Sequence, residues 1–207
     1  MEKKEKVIGL ITARSGSKGI PNKNMKKLNG KPLLYYASKA LIGNEEIDQV
    51  ILSTDSESIA EYGRELGLKV PFIRPKEISQ DMSTSEEGLK HAINWLEKNE
   101  NYFSDIVVYL QTTDPFRKNG MIDLCVKKLI ENPSLDSVFM GLIKHKNYWR
   151  KKNGRYERLA EGIESGLPRQ IKEPLYREDT GIALATRAKI IKQGRRIGKN
   201  VEIIPYK

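Results

Sequence analysis

The residues best able to do chemistry stand together near the start of the chain, in Ala-Arg-Ser-Gly-Ser-Lys-Gly-Ile-Pro-Asn-Lys-Asn over Ala13–Asn24. Gly16 and Gly19 allow a ligand to approach the backbone closely. Arg14, Lys18 and Lys23 supply positive charge, and Ser15 and Ser17 supply donors, the combination that binds phosphate oxygens. Placed directly after a short apolar run, the segment reads as a cradle for a triphosphate. It lacks the Gly-Lys-Ser/Thr ending of a P-loop and the three spaced glycines of a dinucleotide fingerprint. The competing reading is a basic surface turn.

Other candidates are scattered. Gln111 follows the apolar run Asp105–Leu110, at the carboxyl end of a strand, where α/β sheets present side chains to substrate. Arg169 and Arg177 suit a carboxylate, which arginine can grip with two parallel hydrogen bonds. Cys125 is the single cysteine, so it makes no intramolecular disulfide and reads as a small core residue. His91 and His145 have no carboxylate or cysteine at metal-ligand spacing, so no zinc site is expected.

Elements that could position these residues are legible in the hydrophobic pattern. Short apolar runs at Val7–Ala13, Gln49–Leu52, Val70–Ile73, Asp105–Leu110, Ser137–Ile143, Gly181–Ala185 and Val201–Ile204 have the character of strands buried on both faces. Helical periodicity lies between them: Leu33–Leu41 follows Pro32, and Ser83 and Thr84 each stand three residues before a glutamate, as a capping box requires. The alternation predicts a three-layer α/β fold with a mainly parallel sheet and ligands at its carboxyl ends. At 207 residues the chain is the size of one domain, 1–207, with an inserted arm at about 144–176 where aromatic and basic residues break the rhythm. No apolar run approaches the roughly 20 residues that span a bilayer. Arg14 also interrupts the first run without a cleavage site after it, so the expectation is a cytoplasmic protein with no membrane partner. A formal charge of +10 attracts polyanions or small anionic substrates.

The opening loop, taken with Leu28-Asn-Gly-Lys-Pro-Leu33, resembles the N-terminal signature of the acylneuraminate cytidylyltransferase family. Ile51-Leu-Ser-Thr-Asp-Ser56, Val70-Pro-Phe-Ile-Arg-Pro75, Ile78-Ser-Gln-Asp81, Leu110-Gln-Thr-Thr-Asp-Pro-Phe-Arg117 and Pro168-Arg-Gln170 resemble its later motifs in the same order. The resemblance implies a Rossmann-like nucleotidyltransferase that moves CMP from CTP to a sialic, legionaminic or related nonulosonic acid and releases pyrophosphate. It implies that Arg14, Ser17, Lys18 and Lys23 hold phosphates, that Asn24 touches nucleotide, and that Arg74, with Asp81 and Ser83, reads the cytosine. It further implies that Gln111, Arg169 and Arg177 bind the acid, that Arg14, Lys18, Lys23 and Gln111 carry catalysis, and that Mg²⁺ is the cofactor. Arg74 can also be read as a surface arginine before Pro75, and Asp81 as a turn residue or distal helix cap.

Departures from the family pattern matter for the acceptor. Thr112-Thr113-Asp114 replaces the commoner Pro-Thr-Ser. Asp114 can be read as a Mg²⁺ ligand, as the partner of a substrate amine, or as a turn residue before Pro115. Tyr148 and Leu184 stand where many sialic-acid enzymes carry lysine and tyrosine. The family also carries an Asp-x-Asp pair that holds the catalytic magnesium, at a place that would fall just beyond Lys207, so the resemblance leaves the full metal site unlocated in this sequence. The arm over His145–Tyr156 resembles a hairpin through which this family forms homodimers. Its interleaved aromatic and basic residues also fit a single-stranded RNA site, but no specific RNA-binding motif accompanies them, so no nucleic-acid partner is expected. The alternatives to a nonulosonate enzyme are a same-superfamily enzyme for an eight-carbon keto acid, an RNA-binding module, and an inactive scaffold.

Overall fold

A computed structural model describes residues 4–16, 19–159, 168 and 173–206. Strand β1 (Val7–Thr12) is buried along nearly its whole length: Val7 and Ile11 belong to one apolar core, and Ile8 and Leu10 to the other. A strand covered on both faces has no reason to alternate apolar with polar, which accounts for the continuous run. There follow a small hairpin of β2 (Lys27–Leu28) and β3 (Lys31–Pro32), helix α1 (Leu33–Leu41), β4 (Gln49–Ser53), α2 (Glu57–Glu65), α3 (Ser85–Glu100), β5 (Ile106–Leu110) and α4 (Met121–Glu131). The chain continues through β6 (Ser137–Lys144), a hairpin of β7 (Trp149–Lys152) and β8 (Arg155–Arg158), then β9 (Leu175–Glu178), β10 (Leu184–Arg187), α5 (Ala188–Lys192) and β11 (Val201–Tyr206).

The main sheet runs β11-β6-β10-β5-β1-β4, with β9 also paired to β6. β4, β1 and β5 are mutually parallel, as are β6 and β11, whereas β10 is antiparallel to both β5 and β6. On one face Leu34, Ala37 and Leu41 of α1 and Cys125, Val126 and Leu129 of α4 pack against the sheet; on the other, Leu89, Ala92, Ile93 and Leu96 of α3 pack with Ile191 of α5. This is the expected three-layer, mainly parallel α/β architecture. Burial pushes the Cys125 thiol up to about 12, so it is an inert core residue.

Two of the anticipated strands differ. Val70–Ile73 is extended but not a strand: Lys69 exchanges backbone bonds with Val50 and Leu52, and Arg74 N–H reaches Thr54 O, but Pro71 between them has no N–H to give. The run at Gly181–Ala185 enters the sheet only at Leu184, because Asp179–Ile182 forms a turn closed by Ile182 N–H to Asp179 O. Of the two possible caps for α3, Thr84 is the one used, with Glu87 completing the box. Both short hairpins turn on Asn-Gly, at Asn29-Gly30 and Asn153-Gly154, with all four residues at positive φ, the geometry two-residue hairpin loops demand.

The edge of the sheet is held by Asp136, whose Oδ2 accepts from the N–H groups of Asn200 (3.2 Å) and Lys199 (3.1 Å). Lys189 lies 3.5 Å from the same carboxylate. The Asn200 N–H, aided by Lys199 and Lys189 and opposed by partial burial, holds the Asp136 carboxyl below its ordinary range. A depressed carboxylate adds stability above its unfolded pKa of about 3.9, and that contribution disappears as pH falls through the folded value. Asp136→Ala is therefore expected to lower the melting temperature by about 2–4 °C at pH 7, with the difference shrinking below about pH 4. Thermal melts of both proteins at pH 7 and pH 3 check this, and an undiminished gap at pH 3 counts against it.

Candidate active site

Where β1 ends, the backbone leaves the sheet into the glycine-containing loop, and neighbouring strand ends hold that loop in place. The Asp55 carboxylate, just past β4, accepts from both Ser15 N–H and Ser15 Oγ at 2.8 Å. Asn24, on the return of the loop, is buried. Its Nδ2 donates to Arg14 O at 2.8 Å, and its Oδ1 accepts from Thr112 Oγ1, just past β5, at 2.6 Å. Both ends of the Asn24 amide are thus spent on protein, tying the loop to the end of β5. A Cβ at Gly16 or Gly19 would meet nothing within 4 Å, so protein packing does not require glycine at either place.

The facing wall is built on Arg74. Only 5% of this residue is exposed, which rules out an ordinary surface arginine. Its Nε donates to Ser79 Oγ at 2.9 Å, and a Cβ at Gly88 of α3 would lie 2.9 Å from Nη1, so Gly88 leaves room for the guanidinium. Burial lowers the pKa of Arg74, with Asp55 opposing that effect. Arg14 bridges the two walls, donating to Gln80 O and lying 3.6 Å from Asp81. Asp81 is therefore a turn residue paired to the loop, and it does not cap α3. Ser83 Oγ accepts from Gln80 N–H at 3.0 Å, closing the same turn. Tyr109 of β5 donates to Ser85 Oγ at 3.1 Å and lies 3.4 Å from Thr12 Oγ1. A cavity of about 250 Å³ lies between these groups, bordered by Arg14, Lys23, Asn24, Arg74, Ser83, Tyr109 and Gln111–Thr113.

Gln111 stands at the rim. Its N–H donates to Gly181 O at 3.1 Å, and its Oε1 accepts from Thr113 at 3.4 Å. Asp114 sits against the Asp179–Ile182 turn, where a Cβ on Gly181 would fall 2.2 Å from Oδ2. Burial raises the pKa of Asp114, Asp179 adds to the rise, and Arg117 and Arg177 oppose it. Arg177 is held in a fork by Asp179 at 3.0 and 2.8 Å, and Tyr206 donates to the same carboxylate.

Of the residues anticipated from sequence, Arg14, Lys23, Asn24, Arg74, Ser83 and Gln111 share the cavity, with Asp81 joined through Arg14. Asp114 and Arg177 lie beside the turn near Gln111. Ser17, Lys18 and Arg169 lie outside the described residues. Leu184, read as a pocket position, is buried in the core against α3 instead. Arg196 pairs with Glu178 at 3.1 Å and Glu86 at 3.7 Å. Sequence reading assigned no role to Asp55, Thr112, Tyr109 or Arg117. The first two and Arg117 follow strand ends inside recognisable motifs, a usable signal; Tyr109 is one aromatic in an apolar run and gives none. Among the described residues, no group of three or more His, Cys, Asp or Glu side chains is arranged to hold a metal ion, and no helix is long and apolar enough to cross a membrane.

Comparison with known proteins agrees with this geometry. Residues 8–161 match the profile of the family described as cytidylyltransferase. A pseudaminic acid cytidylyltransferase of Campylobacter jejuni is 35% identical over 125 residues, covering 60% of this chain and 53% of that protein. An N-acylneuraminate cytidylyltransferase of Streptococcus agalactiae is 32% identical over 193 residues, covering 91% of this chain and 45% of its own length. The chain thus spans about half the length of these curated relatives. In fold it is similar to a CMP:2-keto-3-deoxy-manno-octonic acid synthetase solved with CTP, with a TM-score of 0.71 at 13% identity over 98% of this chain and 90% of that one.

The double bond from Ser15 to Asp55 makes the loop entrance a measurable latch. Asp55→Ala is expected to quicken amide exchange at Ser15 and Gly16 by about 10–100-fold, the equivalent of the roughly 1.5–3 kcal/mol of a hydrogen bond to a charged group. Amides in the middle of α3 should exchange as before. Hydrogen exchange read by mass spectrometry or NMR tests this, and equal acceleration across α3 would mean general destabilisation.

Proposed function

The chain belongs to the cytidylyltransferase family, and from that premise we propose that it transfers CMP from CTP to the anomeric hydroxyl of an acidic 2-keto sugar. The acceptor is a nonulosonic acid of the sialic, legionaminic or pseudaminic type, and pyrophosphate is released. The observation that carries this reading is the cavity at the ends of β1 and β5, where Arg14, Lys23 and Arg74 converge with amide and hydroxyl donors. Three cations around one small cleft suit a ligand with several negative charges. The two relatives, named as a pseudaminic acid cytidylyltransferase and an N-acylneuraminate cytidylyltransferase, support CTP as that ligand and an acid of this class as the acceptor.

In this reading the loop over Arg14–Asn24 holds the triphosphate, and Arg74 with the Gln80–Ser83 turn faces the base. The acceptor hydroxyl attacks the α-phosphorus as the bond to the β-phosphate oxygen breaks. Positioning and neutralisation of charge dominate such a reaction, and the loop cations supply both. Gln111 offers an amide to the sugar, with Arg169 and Arg177 as partners for its carboxylate. Because Arg177 is already bonded to Asp179, a substrate carboxylate would take the place of Asp179.

Mg²⁺ usually needs only one or two protein carboxylates when phosphates complete its coordination. Asp114, packed beside Gln111 at the rim of the cleft, is the carboxylate that would meet that requirement, with the Arg117 and Arg177 cations near it. A bound Mg²⁺ would offset charge on the triphosphate. The partner we propose is a second copy of this chain. The hairpin β7–β8 pairs only with itself among the described strands and exposes Trp149 and Tyr156, while an isolated hairpin is marginal in water. We assign the protein to the cytoplasm, with its nucleotide substrate.

Purified protein given CTP, Mg²⁺ and sialic, legionaminic, pseudaminic or the eight-carbon keto acid should release pyrophosphate with at least one nine-carbon acid. Turnover of the eight-carbon acid alone moves the assignment to that acceptor, and no release with any acid sinks it. In an active protein, Arg14→Ala is expected to lower kcat/KM for CTP by about 10–100-fold, the loss matching a hydrogen bond to a charged group.

A further inference from the structure

Arg117 carries no part of the mechanism above, yet its guanidinium gives three hydrogen bonds to backbone carbonyls. Its Nε donates to Ile182 O at 2.7 Å, and its Nη2 donates to Gly181 O at 2.6 Å and to Gln111 O. Nη1 is buried without a partner. Burial brings the guanidinium down to about 10, with Asp114 opposing the shift. Desolvating a cation to serve neutral carbonyls is a poor way to gain stability, because an apolar side chain of similar size fills such a space at lower cost. The arrangement provides fixed geometry at a rigid fork.

What the fork fixes is the acceptor side of the cleft. Strands β9 and β10 run along the same edge of β6 and are interrupted at Met140, whose O accepts from Asp179 N–H and whose N–H donates to Ala183 O. The intervening turn swings across to the end of β5. There Gly181 O takes both Gln111 N–H and the Arg117 guanidinium. The Gly181 Cα is pressed so close that an added Cβ would lie 2.2 Å from Asp114 Oδ2 and 3.1 Å from Gln111 Cδ. Gln111 and Asp114 therefore rest against a turn whose position Arg117 determines. The latches of the nucleotide side, Ser15 to Asp55, Asn24 to Thr112 and Arg74 to Ser79, involve neither Arg117 nor Gly181.

We propose that Arg117 is the positioning residue of the acceptor site, holding the Asp179–Ile182 turn against Gln111 and Asp114 so that the sugar acid meets them in one fixed orientation. The proposal rests on the cytidylyl-transfer reading. Its test uses the whole chain with CTP, Mg²⁺ and whichever acid the unmodified protein turns over best, comparing Arg117→Gln, Arg117→Lys and Gly181→Ala. Arg117→Gln and Gly181→Ala are expected to raise the acceptor KM by about tenfold or more, equivalent to about 1.4 kcal/mol. Arg117→Lys should recover part of that loss. The CTP KM, and CTP affinity measured without acceptor, should stay within about twofold of the unmodified protein, a tolerance of about 0.4 kcal/mol. The Cβ of Gly181→Ala meets both Asp114 and Gln111 and leaves Arg117 in place, so it tests the close approach of the turn through the acceptor KM alone. Arg117→Lys decides the role of the guanidinium should Arg117→Gln fail to give a cooperative melt. An unchanged acceptor KM in Gly181→Ala and in every folded Arg117 variant, or equal losses for CTP and acceptor, overturns the role of Arg117 while leaving cytidylyl transfer intact. Absence of turnover in the unmodified protein overturns the transfer reading itself.

Discussion

Everything at the site depends on where three parallel strands stop. β4, β1 and β5 run in the same direction, so their carboxyl ends lie along one edge, and the chain must leave the sheet there three times in neighbouring places. Each departure frees backbone groups that the ladder no longer satisfies and a loop that the sheet no longer holds. The molecule meets both needs with single polar side chains that reach across to the adjacent exit. Asp55 takes the first residues after β1, Asn24 joins that loop to Thr112 after β5, and Arg117 ties the end of β5 to the turn before β10. A ligand entering the cavity meets groups whose positions are already constrained, and preorganisation of that kind lowers the entropic cost of binding.

The charge distribution follows the same logic. The chain carries a net +10, but the informative cations are Arg74, which is buried, and Arg117, which is half-buried. Arg74 and Arg117 both have lowered pKa values because burial penalises their charged forms. Arg74 gives one hydrogen bond to a hydroxyl and borders the cleft. Arg117 instead spends its donors on carbonyls. One arginine therefore faces the cleft and the other serves the backbone, a division visible only from their partners.

Much of the fold was legible because burial on two faces leaves a plain trace: β1, β5 and β6 stand out as apolar runs, and Thr84 with Glu87 marks the start of α3. Pro71 hid the failure of the run at Val70–Ile73, because its missing N–H affects hydrogen bonding without altering hydrophobicity. The nucleotide side of the site was also readable, since glycines, cations and hydroxyls crowd one short segment. The acceptor side was less so. Arg177 looks available in sequence, but Asp179, two residues on, occupies it with two hydrogen bonds. Leu184 looks like a pocket residue but faces α3, since its place depends on how many residues the preceding turn consumes. Asn-Gly at two positions was a direct hairpin signal of the kind that short-range turn chemistry provides.

The acceptor side resists sequence reading because it is made by a strand running the wrong way for the rest of the sheet. Had β10 been parallel to β5, its beginning would lie at the edge opposite the cleft, and no turn before it could touch Gln111. Antiparallel to both neighbours, it starts at the edge where β5 ends. The five residues that separate it from β9 are thereby delivered to the site from nearly 70 positions downstream of Gln111. Gly181 then matters for its missing Cβ, since any larger residue would push Asp114 aside. Neither the strand direction nor the close approach leaves a mark in local composition. In the proposed reading, the part of the site that would distinguish one acid from another is accordingly set by topology and by the Arg117 guanidinium, while the part that would bind the nucleotide is written in a contiguous loop.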